Sequence, residues 1–244
     1  MTLPEAVTVR EVLDPTDPAI VAFGALQDRT YFEPDMLIPA EYVGRMLVGS
    51  TPERRNFLVL AERSGEVVGG TLFHHLGVPN TGFSSFMATA PEVRGEGVAR
   101  RLHDARFGVL DRAARELHGR EVEGVFIDVV APARLTPEER EAERAVGSDP
   151  VGRRRVFERL GFRQVDVAYE QPVGGPDGGP LRNMDLLLCP RRPADSVPLA
   201  LVLGTMRAYW SGWLGARRTE QALADLAERA GHRERLELIS PVGD

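Results

Sequence analysis

The chain of 244 residues contains no lysine, so all 30 of its basic residues are arginine. A GC-rich genome accounts for that bias, and the arginine fork's suitability for phosphate is therefore no sign of local design. Cysteine is almost absent: Cys189 stands alone and cannot form a disulfide within the chain. The opening stretch MTLPEAVTVREVLD has neither the basic start nor the unbroken apolar core of a secretory signal. Together these two features predict a cytoplasmic protein. Long apolar runs are missing too, since the most apolar one, Val197 to Leu203, is soon followed by Arg207. No membrane association is expected. There is no polybasic block, and the net charge is −6, which argues against nucleic acid as a partner.

What remains is a soluble globular composition, 43% hydrophobic and 27% charged. The length suits one main core plus an appendage, with a motif-bearing domain over 1–190 and an extension over 191–244. Alternation in VTVREV predicts a first strand, and two helical segments follow, Ala19 to about Tyr31 and Ala40 to Val48. NFLVLAE and VVGGTLFHHL, joined by Ser64-Gly65, read as a β-hairpin, and GFSSFMATA as a third strand. From Val98 to Leu117 apolar residues recur every three or four positions, giving a long amphipathic helix that Gly119 ends. VEGVFIDVV reads as a buried strand. TPEEREAERAV carries an N-capping threonine followed by proline. VGRRRVFERL forms a further helix before Gly161, FRQVDVAYE a strand, PVGGPDGGP a loop, and MDLLLCP the closing strand. Beyond a linker over 190–198, a helical hairpin is expected.

The stretch APEVRGEGVARRL, residues 90 to 102, puts a glycine turn between a strand and a helix. The first amides of such a helix lack partners and its dipole adds partial positive charge, so the turn is an anion site. Glycine at 95 and 97 lets an anion approach the backbone. A dinucleotide fingerprint would need a third glycine where Arg100 stands, and a P-loop would need lysine. Read as R-x-x-G-x-A, from Arg94 to Ala99, the stretch resembles the pyrophosphate loop of the GNAT (Gcn5-related N-acetyltransferase) superfamily. VFERLGF, Val156 to Phe162, resembles that family's second recurring segment, although a glycine C-cap followed by a core phenylalanine also describes it. The order of elements from about Thr8 to Cys189 is similar to the family's.

The resemblance implies an α/β (α+β) fold: a mixed, mostly antiparallel sheet with splayed central strands, flanked by helices and here extended by the helical hairpin. It implies acetyl-CoA as cosubstrate and no metal. Backbone groups of Met87, Ala88 and Thr89 would meet the pantetheine arm. The amides of Gly95, Glu96, Gly97, Val98 and Ala99 would hold the pyrophosphate, with Arg94, Arg100 or Arg101 at the outer phosphates or, equally, on a solvated helix face. Phe157 occupies the position where many relatives have a tyrosine, and Ser84 and Ser85 occupy the place of a glutamate. Neither usual acid–base group is therefore present. Asp128, an acid in an apolar strand, is the substitute base or else a carboxylate bonded to a backbone amide. Tyr169 is the substitute acid or a packed tyrosine. Glu33 and His74 are the expected acceptor contacts, and of His74 and His75 only one can face the site.

The reading that follows is an N-acyltransferase acting on a small-molecule amine or peptide by direct attack. A catalytically silent acyl-CoA-binding module is the rival. Trp210, Trp213 and Leu214 imply burial of the tail against the core or a second copy of the chain, as in a homodimer; a lid over the acceptor cleft is the other reading.

Overall fold

A computed structural model describes residues 6–31, 37–173 and 179–243. Its framework is one sheet of nine strands. In chain order these are β1 (Thr8–Glu11), β2 (Arg54–Arg63), β3 (Glu66–Leu76), β4 (Thr81–Thr89), β5 (Gly124–Val130), β6 (Arg163–Val165), β7 (Met184–Pro190), β8 (Ser196–Pro198) and β9 (Arg235–Ile239). Across the sheet they run β1-β2-β3-β4-β5-β7-β6-β9-β8, and β4–β5 is a parallel pair in an otherwise antiparallel arrangement. The helices are α1 (Ala19–Thr30), α2 (Ala40–Val48), α3 (Val98–His118), α4 (Pro137–Ala145), α5 (Pro150–Arg159), α6 (Leu199–Leu214) and α7 (Ala216–Ala230).

Local chemistry sets the element ends as expected. Ser64 and Gly65 both take positive φ, 53° and 81°, which two-residue hairpin turns require, and they join β2 to β3. Thr136 opens α4 with a capping box: its hydroxyl accepts from the Glu139 amide at 3.1 Å, and the Glu139 carboxylate accepts from the Thr136 amide at 2.7 Å.

Two adjacent glycines in β3 fix the layering. A side chain at Gly69 would meet Val98 and Leu102 of α3, and one at Gly70 would run into Phe23 of α1 at 2.6 Å. Neighbouring strand residues point to opposite faces, so α1 and α3 cover opposite sides of the sheet. α6 lies on the α1 side, where Tyr209 stacks on Phe83 of β4 with centroids 3.7 Å apart.

In two places the structure departs from the sequence reading. The strand expected over FRQVDVAYE is three residues long; after Val165 the chain leaves the ladder, and Tyr169 is buried with its ring 6.4 Å from that of Trp210. The tail is more than a helical hairpin. β8 and β9 flank α6 and α7, and β9 pairs with β6, so residues beyond 190 continue the main sheet. Among the described residues no helix is long and apolar enough to cross a membrane.

Candidate functional site

The central feature is an opening between β4 and β5. The two strands pair only at Gly82–Val125 and Phe83–Phe126. Beyond those rungs, Met87, Ala88 and Thr89 keep their pairing with β3, and β5 keeps its pairing with β7, so the edges that face each other carry unused backbone groups. The opening leads to the glycine turn. Gly95 and Gly97 hold φ of 86° and 80°, and Gly97 forms the N-terminal boundary of α3 without any side-chain cap. A Cβ at either glycine would meet nothing within 4 Å, so the space over the turn stays clear for an anion. The amides of Val98, Ala99 and Arg100 open the helix and point into that space. The Glu96 amide is taken by the Val93 carbonyl at 3.2 Å, and its carboxylate pairs with Arg63. Arg94 donates to the Gly147 carbonyl at 3.0 Å, and Arg100 to the Arg159 carbonyl. Both guanidinium groups are exposed, at the rim of the turn.

On the α1 side of the sheet a cleft of about 1070 Å³ opens between α2, β4, β5 and α6. Its floor is built on an irregularity: Leu72 faces Phe86 and Phe73 faces Ser84, so Ser85 is the extra residue of a β-bulge. Ser84 turns to the α3 side, where its hydroxyl accepts from the buried Arg106 at 2.9 Å. Ser85 lines the cleft and meets His74 Nε2 at 2.7 Å and the Tyr209 hydroxyl at 3.0 Å. His74 Nδ1 lies 2.7 Å from Asn56 Oδ1, and Asn56 donates from Nδ2 to the Met46 carbonyl at 2.7 Å. Burial, reinforced by the charge of Arg54, holds the His74 imidazole well below its ordinary pKa. His75 points to the opposite face, onto Asn80 at 3.0 Å, as strand alternation requires.

Asp128 of β5 lines the same cleft. Burial pushes its carboxyl up to about 7, against the opposing effect of hydrogen bonds from its own backbone amide and from the Tyr169 hydroxyl at 3.4 Å. A carboxyl poised there can take and return a proton near neutrality.

The structure thus brings Asp128, Tyr169, His74 and the β4 edge together around one opening. Tyr169 is fully buried behind Asp128 and does not line the cleft, and its hydroxyl meets the Asp128 carboxylate. His74 does not line the cleft either and reaches it through its partners Ser85, Asn56 and Arg54. Phe157 is buried edge-on against Phe162, with centroids 5.4 Å apart. Glu33 lies outside the described residues. Arg54, Asn56, Ser85 and Tyr209 were missed as site residues. The departure from glutamate at 84 and 85 was a signal for the serine, whereas nothing in local spacing shows that α6 folds back over β4. Among the described residues no three His, Cys, Asp or Glu side chains gather as they would around a metal.

Comparison with known proteins finds a matching family pattern and similar folds. The pattern of the Acetyltransferase (GNAT) family matches residues 20–132. Among solved structures, a GNAT-family protein from Bacteroides thetaiotaomicron superposes with a TM-score of 0.51 at 16% identity, covering 86% of this chain and 99% of its own. The ribosomal-protein-S18-alanine N-acetyltransferase from Escherichia coli gives 0.46 at 13% identity, covering 78% and 96%. A search of the curated proteins returns no match.

Proposed function

Since the chain belongs to the acetyltransferase (GNAT) family, whose general chemistry is acyl transfer, we propose that it moves an acetyl group from acetyl-CoA to the primary amine of a small molecule or peptide. The observation that carries this reading is the order of features along the two parting strands: β4 and β5 pair only at Gly82–Val125 and Phe83–Phe126, the glycine turn follows the free end of β4, and Asp128 on β5 lines the cleft.

The residues present fit the cosubstrate. Amides of Gly95, Gly97, Val98 and Ala99 would hold the pyrophosphate, and the unpaired edge at Met87, Ala88 and Thr89 would bond the amide groups of the pantetheine arm. Acetyl-CoA supplies an acyl group already activated as a thioester. Asp128 takes the proton of the attacking amine on a carboxylate oxygen as the new C–N bond forms and the C–S bond breaks, the CoA thiolate leaves and picks up a proton from solvent, and Tyr169 holds the carboxyl in place through its hydroxyl.

The test is thermal stabilisation by CoA together with thiol release from acetyl-CoA over a panel of amines, amino acids and peptide N-termini. CoA is expected to raise the melting temperature, and at least one amine to raise thiol release. The silent acyl-CoA-binding module, favoured by serine at 84 and 85 and phenylalanine at 157, replaces this reading if CoA stabilises the protein and no amine releases thiol. If CoA gives no shift, the phosphate cradle itself is wrong.

A further inference from the structure

The hydrogen bonds under the cleft floor have only one consistent direction. Asn56 commits its Nδ2 to the Met46 carbonyl at 2.7 Å; a flipped amide would set two carbonyl oxygens against each other. Asn56 Oδ1 therefore faces His74 Nδ1, and an oxygen of that kind only accepts, so the imidazole proton sits on Nδ1. That leaves Nε2 bare. Ser85, 2.7 Å from Nε2, must donate its single proton there, and Arg54 Nη2 donates to the same nitrogen at 3.3 Å. With the Ser85 proton used, the 3.0 Å contact to Tyr209 runs from the tyrosine O–H into the serine oxygen. Both hydroxyl protons are thus turned inward. The oxygens of Ser85 and Tyr209, which line the cleft, present only lone pairs to it.

Two further features narrow what binds there. Arg54 donates to Asn56, His74 and the Tyr209 carbonyl and, among the described residues, has no carboxylate partner. Next to Ser85 and Tyr209 its fixed charge disfavours a second cation and favours the neutral form of an amine, against the opposite pull of the Asp128 and Glu53 carboxyl groups in the same lining. The walls above are largely apolar, with Ile38, Tyr42, Met46, Val78 and Trp213, and also include Arg45, Glu53, Gln171 and Arg207.

We infer that the acceptor is a primary amine on an apolar body, bound neutral, with its two N–H bonds directed at the oxygens of Ser85 and Tyr209. Its lone pair is then left for attack, after which the cationic nitrogen gives up one of those two protons to Asp128 in the same cleft. A secondary amine or an alcohol has one donor and leaves one of the two oxygens unmatched, a loss that sites built on buried hydrogen bonds enforce strongly. Ser85 and Tyr209 contact the acceptor, whereas His74 acts through Ser85 as a positioning residue and Asn56 fixes the His74 tautomer. The inference rests on the acyl-transfer reading only in naming the amine as the group acylated.

The probe is calorimetric titration of the full chain, with CoA present to prevent turnover, using benzylamine, N-methylbenzylamine and benzyl alcohol. Benzylamine is expected to bind about tenfold more tightly than either analogue, and Tyr209→Phe, which keeps the ring on Phe83, to bring the three within about threefold. Nitrogen-15 spectra of labelled histidine should show His74 protonated on Nδ1 and unchanged from pH 5 to 9, with Arg54 and Tyr209 as its charged and titratable neighbours. Equal affinities in the native chain, no binding of benzylamine, a ratio untouched by Tyr209→Phe, or a proton on Nε2 would each overturn the inference. Selective benzylamine binding without thiol release from acetyl-CoA would instead remove the acyl-transfer reading and leave the cleft assignment standing.

Discussion

Asp128 sets stability and activity against each other across pH. In the unfolded chain its carboxyl titrates near 3.8, and in the folded chain near 7. Between those values the folded state keeps a proton that the unfolded state has released, so this contribution to stability is complete below about pH 4 and is lost as pH rises through 7. Asp128→Asn is expected to flatten that fall, leaving the variant more stable than the native chain by a few kcal/mol at pH 8 and equal to it at low pH, as read by denaturant titration. Activity should run the other way. Turnover by the native chain rises to a plateau above about pH 7, while Asp128→Asn loses roughly 10²-fold and the ionisation with it; an unchanged pH–rate profile removes Asp128 as the base. The acid was legible in the sequence because a charged residue interrupts the apolar strand GVFIDVV. Its partner was legible as a residue but not in its contacts: that the Tyr169 hydroxyl meets the carboxylate depends on packing against Trp210, which no local pattern encodes.

The turn before α3 separates backbone strain from ligand contact. Because a Cβ at Gly97 meets nothing, substitution there costs only what a side chain pays at φ of 80°, about 1–2 kcal/mol for a β-branched residue. Gly97→Val should therefore lower both the melting temperature and CoA affinity. Gly97→Asn, tolerated at positive φ, should keep most of the stability yet still weaken CoA, since its side chain stands where the phosphate would lie. If Gly97→Asn binds CoA as the native chain does, the turn is a structural cap and nothing more. Glycine spacing and the strand–turn–helix order made this element readable from sequence alone. The bulge at Ser85 was not, because FSSFM alternates no differently from a regular strand; only the ladder with β3 reveals the extra residue.

For the whole molecule, the helices of the extension were readable from their apolar periodicity, but their place was not, because β8 and β9 are short strands whose partners lie far away in sequence. Trp210 is fully buried, Tyr209 covers Phe83, and β9 pairs with β6. A chain ending at residue 190 should therefore fail to fold cooperatively, with no sharp thermal transition by circular dichroism. A well-folded 1–190 fragment would show that the tail is an appendage after all. The opening between β4 and β5 has one more consequence, which is mechanical. With only two rungs between them, β1 to β4 and β5 to β9 form two leaves hinged at one corner, spanned by α3 on one side and α6 on the other. A ligand bonded to both free edges acts as the missing rungs and welds the leaves into one cooperative unit. Hydrogen exchange should then slow on CoA binding in strands of both leaves, including amides that never touch the ligand. Protection confined to the contact residues would mean that the leaves were already one body.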